Sequence, residues 1–473
     1  MLLRALAVFA LAFAVPATAA PIRLEACKIP GAKVAARCGT MTVPENRAIS
    51  GGRMLPLHVV VIPARKPSGK LPIFYFAGGP GQAATDLAAH VPPDDWHIAD
   101  RDLVLMDLRG TGRGTKLDCA LGVSDGNIET YLEPLFHDTR AVAACATRLS
   151  RNADLSQYTT PNSMRDIDDL RAALGYDRID IDSGSYGTRD AIVYMHMFPE
   201  HVHAAVLSGL APMANRTPLY HAHAAERAIE TLFAQCAADA QCHKTFPDPK
   251  ADLDAILASL KAKPAPVVVK HPVTGKPVTI ALTQSAFASG LRVMLYDEEE
   301  GRRIPLLLRK ARAGDYTPFA QAALENGRGL AQGIAVGLLL AISCSEDTNR
   351  IDPGEVAKET GDSFIGDARV RGQMAACSVW PKTQLPTDYW TPFASKIPVL
   401  LISGNLDPVT PPRWGAEEHR LLANSLHVVM PGAHVAGNAC VDKMSEQLLD
   451  TADIAKVDTS CAKTTKLPPW VLH

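Results

Sequence analysis

The sequence has almost no excess charge of either sign: 48 Lys and Arg face 50 Asp and Glu across 473 residues, a formal net charge of -2. Nucleic-acid binding needs a basic surface to neutralise phosphates, so that partner class is excluded. Also missing is an apolar run long enough to cross a bilayer, which takes about 20 residues. The runs that stand out, Ala5–Val15 and Gly329–Ile342, are too short, and the second contains Gln332. It is read as a single buried helix, and no membrane span is expected in the mature protein. The cysteines include no CxxC pair, which removes a zinc ribbon. No internal repeat or low-complexity linker is visible. What remains is 47% hydrophobic and 21% charged, an ordinary globular composition long enough for a large domain plus a second unit.

The N-terminus reads as a targeting segment. Met1–Arg4 supply a short basic start, Ala5–Val15 an apolar stretch and Ala17-Thr18-Ala19 a small-residue cleavage site, with no acidic residue before Glu25. A signal peptide over 1–20 and an exported protein, periplasmic or secreted, are expected. Ten cysteines agree with export, since disulfides persist outside the cytosol. Joining sequence neighbours gives Cys27–Cys38, Cys119–Cys145, Cys236–Cys242, Cys344–Cys377 and Cys440–Cys461 as the expected pairs. Free buried thiols are the alternative, and an even count beside an export signal favours bridges.

Short, β-branched apolar segments recur at Leu57–Pro63, Pro72–Phe76, Leu103–Asp107, Ile179–Asp182, Ala204–Leu207, Val399–Ile402 and His427–Met430. Continuous runs of this length between helical stretches suit strands buried on both faces of a mostly parallel sheet. Chemistry in such α/β sheets sits at the strand ends. Between residues 217 and 386 helical patterns dominate, as in Ala224–Ala240, Ala251–Lys263 and Arg302–Ala313, with one hairpin over Pro266–Val278 turning at Gly275. The expected organisation is a core over 21–216, an inserted helical cap over 217–386, and the rest of the core over 387–473.

Ser183-Gly184-Ser185-Tyr186-Gly187 lies between a strand and a helix-like run, the setting of a sharp turn that exposes a nucleophilic serine. Such a turn needs small residues two positions either side, which Ser183 and Gly187 supply. A serine hydroxyl needs a base and a group to orient that base. Asp407, in the turn after one late strand, and His434, after the next, follow in the order serine, acid, histidine. Ala77-Gly78-Gly79-Pro80-Gly81 follows an earlier strand, so Gly78 and Gly79, with Tyr186, are the expected backbone donors to an oxyanion. A second glycine cluster, Arg109–Gly114, misses the third glycine of a dinucleotide fingerprint. His201/His203 and His221/His223 are read as structural or surface pairs. No metal or cofactor is implied.

Taken together, GGPG at 78–81, DLRGTGRG at 107–114, SYGT at 185–188, the Asp407 and His434 segments, 291–316 and AISCSEDTNR at 341–350 resemble the secreted prolyl and tripeptidyl aminopeptidases of the α/β-hydrolase superfamily. The resemblance spans most of the mature chain. It implies the α/β-hydrolase fold, Ser185, Asp407 and His434 as a catalytic triad, and a peptide substrate with a free N-terminus. Ala77, Ser183 and GAHVAG at 432–437 depart from the prolyl pattern and leave proline preference open. A bound α-ammonium must meet an anion, and Glu346, with Asp347 second, is the expected partner. Glu298–Glu300 is read as a solvated helix start. Two alternatives accompany the aminopeptidase reading: a carboxylesterase or small-amide hydrolase with the same triad, and a non-catalytic binding protein on the same fold.

Overall fold

Apolar runs of four to six residues become strands with a hydrophobic layer on each side. The computed structural model describes residues 22–119, 121, 123–132, 136 and 138–473, and the expected leader over 1–20 lies outside them. The strands are β1 (Glu25–Cys27), β2 (Ala36–Pro44), β3 (Met54–Ile62), β4 (Ile73–Phe76), β5 (Leu103–Met106), β6 (Ile179–Gly184), β7 (Val202–Ser208), β8 (Ala265–Lys270), β9 (Pro277–Leu282), β10 (Val399–Gly404) and β11 (Ser425–Met430). Nine form one sheet in the order β1-β2-β3-β5-β4-β6-β7-β10-β11. The pairings from β5 to β11 are parallel, and those joining β1, β2, β3 and β5 are antiparallel.

Alternation along each strand explains why both faces are dry. Val399 and Leu401 of β10 pack with Phe74, Ile181 and Leu207 in one cluster, whereas Leu400 and Ile402 pack with Ile73, Leu105 and Val206 in another. Outside the sheet, residues 221–379 form helices and the β8–β9 hairpin, with a third apolar cluster that also takes in Leu406 from the loop after β10. No helix among the described residues is by itself long and apolar enough to cross a membrane. The five disulfides are Cys27–Cys38, Cys119–Cys145, Cys236–Cys242, Cys344–Cys377 and Cys440–Cys461.

One expectation is corrected. Gly329–Ile342 is not a single buried helix: helix Thr317–Gly333 ends there and Val336–Glu346 begins after a 77° bend. Tertiary contacts win over the helical pattern. The Ala335 N–H donates to the Gly81 carbonyl at 2.9 Å and that of Gly337 to Leu117 at 2.8 Å. A side chain at Gly337 would lie 2.6 Å from the Leu117 oxygen.

A half-buried charge triad braces the strand that leads to Ser185. His97 touches Asp182 of β6 through Nε2 at 2.7 Å and Asp95 through Nδ1 at 2.6 Å. Burial lowers its pKa, but the hydrogen bonds and charges of the two carboxylates outweigh it and push the value up to about 9 from 6.5. A folded-state value above the unfolded one gives stabilisation that is complete below pH 6.5 and lost as pH rises through about 9. The urea midpoint is therefore expected to fall across that window, and His97→Asn to flatten the fall. An equal slope in the variant would refute the assignment.

Candidate active site

Ser185 sits where β6 turns into the helix Gly187–Met197, with φ +57° in the left-handed region that a side chain disfavours. The turn is held from both sides. The Ser185 N–H donates to Ser208 of β7 at 2.9 Å, and the Thr188 hydroxyl donates to the Ser185 carbonyl at 2.7 Å. Gly187 is obligatory, because a Cβ there would fall 2.1 Å from the Phe76 oxygen. Ser183 is small enough at the leading position, where its buried hydroxyl donates to Val206 at 3.2 Å. The glycine loop after β4 packs directly on the serine, since a Cβ on Gly78 would lie 2.9 Å from that of Ser185.

On the neighbouring strand ends, the His434 Nδ1 meets Asp407 Oδ2 at 2.9 Å. Asp407 is fully buried and also accepts from the N–H groups of Val409 and Thr410, at 2.8 and 2.7 Å, and from the Thr410 hydroxyl at 2.7 Å. Burial raises its pKa, but the charge and hydrogen bond of His434 and the Thr410 donors prevail and hold it below the usual carboxylate range. Ser185, His434, Gly78, Gly79 and Tyr186 line one cleft of about 410 Å³. No hydrogen bond joins Ser185 to His434 among the described residues; in empty hydrolase sites this contact is commonly loose until substrate binds.

Three further side chains reach the site from the inserted helices and the turn between them. Arg227, on helix His221–Ala238, donates to the carbonyls of Asn405 and Asp407 at 2.8 and 2.9 Å, fixing the acid loop. Tyr296 stacks edge-on against His434 at 4.9 Å, and its carbonyl accepts the His434 N–H at 3.3 Å. Glu298 accepts from the Ala433 N–H at 3.3 Å, so it meets the histidine loop instead of being a merely solvated helix start. Each depends on a tertiary contact between segments far apart in sequence.

The cleft lining leaves out Glu346 and Asp347, the expected ammonium partners, and the structure places both in the interior. Glu346 is fully buried, taking the Thr160 N–H at 2.8 Å, the Tyr186 hydroxyl at 3.1 Å and the Tyr389 hydroxyl. Burial holds its pKa above the usual carboxylate range despite those donors. Asp347 is paired with Arg189 at 2.8 Å. Both carboxylates are already spent on the interior. Glu346→Ala would leave three donors unpaired, and a loss of about 3 kcal/mol in unfolding free energy is expected by urea titration. A change below about 0.5 kcal/mol would contradict this role.

The Arg109–Gly114 cluster serves packing. Arg109 is buried and forked onto Asp166 at 2.7 and 2.8 Å, and a Cβ on Gly112 would fall 1.8 Å from Asp107. His201 and His203 contact Asp168 and Asp180 at 2.7 and 2.8 Å, and His223 faces Glu359 at 3.4 Å. No group of three or more potential metal ligands gathers among the described residues.

The sheet order and the serine turn define an α/β hydrolase. Residues 72–244 match the family described as alpha/beta hydrolase fold, and residues 362–461 match the one described as TAP-like protein. The chain belongs to the α/β-hydrolase superfamily, in the group that carries the TAP-like C-terminal segment, and is a hydrolase. It is 25% identical to serine protease Hip1 of Mycobacterium tuberculosis, over 88% of this chain and 85% of that one. It is also 25% identical to tripeptidyl aminopeptidase of Streptomyces lividans, over 90% and 83%. Carboxylesterase B of Mycobacterium tuberculosis is 26% identical over 86% and 82%. Among solved structures, proline iminopeptidase of Mycobacterium smegmatis aligns with a TM-score of 0.41 at 15% identity, over 88% of this chain and 99% of that one.

Proposed function

We propose that the chain is an exported serine hydrolase that opens amide bonds of short peptides through an acyl-enzyme on Ser185. The observation that carries this reading is the strained Ser185 turn in the same cleft as a His434 ring oriented by buried Asp407. His434 takes the Ser185 proton as the hydroxyl attacks the carbonyl carbon. The oxyanion accepts from the N–H groups of Tyr186 and the Gly78–Gly79 loop. His434 then protonates the leaving amine, and a water deprotonated by the same ring releases the acid and restores the serine.

The relatives named tripeptidyl aminopeptidase and serine protease support a peptide substrate. Scattered residues between Ser285 and Arg369, among them Arg292, Tyr296 and Ala331, line the cleft together with Ser185 and His434, which supports a cap that admits short chains. Five disulfides support export. A free N-terminus is not required by any cleft carboxylate, because the lining contains no Asp or Glu among the described residues. That same observation favours carboxylesterase activity as the second reading.

A panel of chromogenic tripeptide amides, free and N-acetylated, beside p-nitrophenyl hexanoate tests both, with fluorophosphonate labelling as a check on the nucleophile. Amide cleavage that vanishes in Ser185→Ala supports the peptidase. Ester turnover alone supports the second reading. Absence of both turnover and labelling overturns the catalytic assignment.

A further inference from the structure

The cleft is basic, although the chain as a whole is nearly neutral. Arg292, on helix Gln284–Met294, and Arg369, on helix Ala368–Val379, both line it. Neither pairs with a carboxylate among the described residues. Arg292 donates to the Tyr296 hydroxyl at 2.8 Å, and Arg369 lies over the Phe136 ring at 5.4 Å. Burial and then the nearby charge of Arg292 push the Arg369 pKa down to about 10. His221, in the same wall, is held well below its ordinary value by burial and by both arginines.

Several buried polar atoms of this wall also have no hydrogen-bond partner: the Arg369 Nε, the His221 Nδ1, and both side-chain polar atoms of Asn215. Two like charges held close in a half-dry cleft repel, and each orphaned donor costs stability. Neither cost is offset among the described residues. An anion seated between the guanidinium groups would offset both, and a carboxylate matches a planar guanidinium fork.

We propose that Arg292 and Arg369 form an anion clamp that selects substrates bearing a carboxylate near the scissile ester or amide. Peptides with an acidic side chain or a free carboxylate fall in this class. His221 and Asn215 add neutral polar contacts beside the clamp. The proposal rests on the serine-hydrolase reading of the same cleft.

The test compares p-nitrophenyl hydrogen adipate with p-nitrophenyl hexanoate, which differ by a carboxylate in place of a methyl. An ester carrying its carboxylate on the leaving group, 3-carboxy-4-nitrophenyl hexanoate, covers the other side of the bond. One anionic ester is expected to exceed the neutral one in kcat/KM by about tenfold or more after correction for the uncatalysed rate. In Arg369→Gln that ratio falls towards one, and Arg292→Gln lowers it as well. Free adipate competes with the neutral ester in the wild-type enzyme and does so less well at high salt. Equal turnover of all three esters, with no inhibition by adipate, overturns the clamp while leaving the nucleophile intact. Failure of every ester together with absent fluorophosphonate labelling instead removes the underlying hydrolase reading. Should either variant fail to fold, the wild-type ratio and adipate inhibition decide.

Discussion

Ser185→Ala is expected to lower turnover of p-nitrophenyl hexanoate by about 10⁵-fold with little change in thermal midpoint. The size follows from what is removed. Without the hydroxyl no acyl-enzyme forms, and what survives is the contribution of substrate binding and the oxyanion donors, roughly 10³–10⁴ over water. The fold should tolerate the change, because the turn is held by backbone contacts to Ser208 and Thr188 and not by the Ser185 hydroxyl. Loss of fluorophosphonate labelling should accompany the loss of rate. Turnover within about tenfold of wild type would move the nucleophile elsewhere.

The second large effect is expected for Asp407→Asn, a fall in kcat of about 10³–10⁴. Asp407 is an acceptor on every side, taking the His434 Nδ1, two backbone N–H groups and the Thr410 hydroxyl. An amide supplies one acceptor atom and one donor. If its oxygen stays with Val409 and Thr410, its NH₂ faces His434 Nδ1 and forces the ring into the tautomer protonated at Nε2, which cannot accept the serine proton there. If it flips, the backbone donors lose their acceptor. Stopped-assay rates beside a urea titration separate the two arrangements, since only the second should cost appreciable stability. A fall of less than tenfold in kcat would remove Asp407 from the orienting role.

Much of this architecture was legible because buried parallel strands advertise themselves. Val399–Ile402 and Leu103–Met106 are apolar without interruption, as suits a strand covered on both faces. Strands β1 and β2 escaped notice because they lie at the antiparallel edge. In β2, buried Met41 and Val43 alternate with exposed Thr40 and Thr42, a weaker signal. The bend at Ile334–Ala335 was invisible because its cause is a partner loop more than two hundred residues away in sequence. The surroundings of Glu346 are hidden in the sequence for a related reason. A carboxylate beside a cysteine and near a helix end reads the same whether it faces a ligand or the Tyr186 and Tyr389 hydroxyls. Arg292 and Arg369 occupy ordinary helical positions, and only folding brings them together in one cleft wall.

The glycine loop beside Ser185 and the loop bearing Asp407 are each fastened by the inserted block, through Ala335 to Gly81 and through Arg227 to the carbonyls of Asn405 and Asp407. That block is therefore no interchangeable part. A chimera that grafted a foreign lid between β7 and β10 would misalign the oxyanion donors and the acid together, however well the new lid folded. New substrate ranges on this scaffold must arise by substitutions scattered within the block, with these tethers kept in place, and not by its wholesale exchange between lineages.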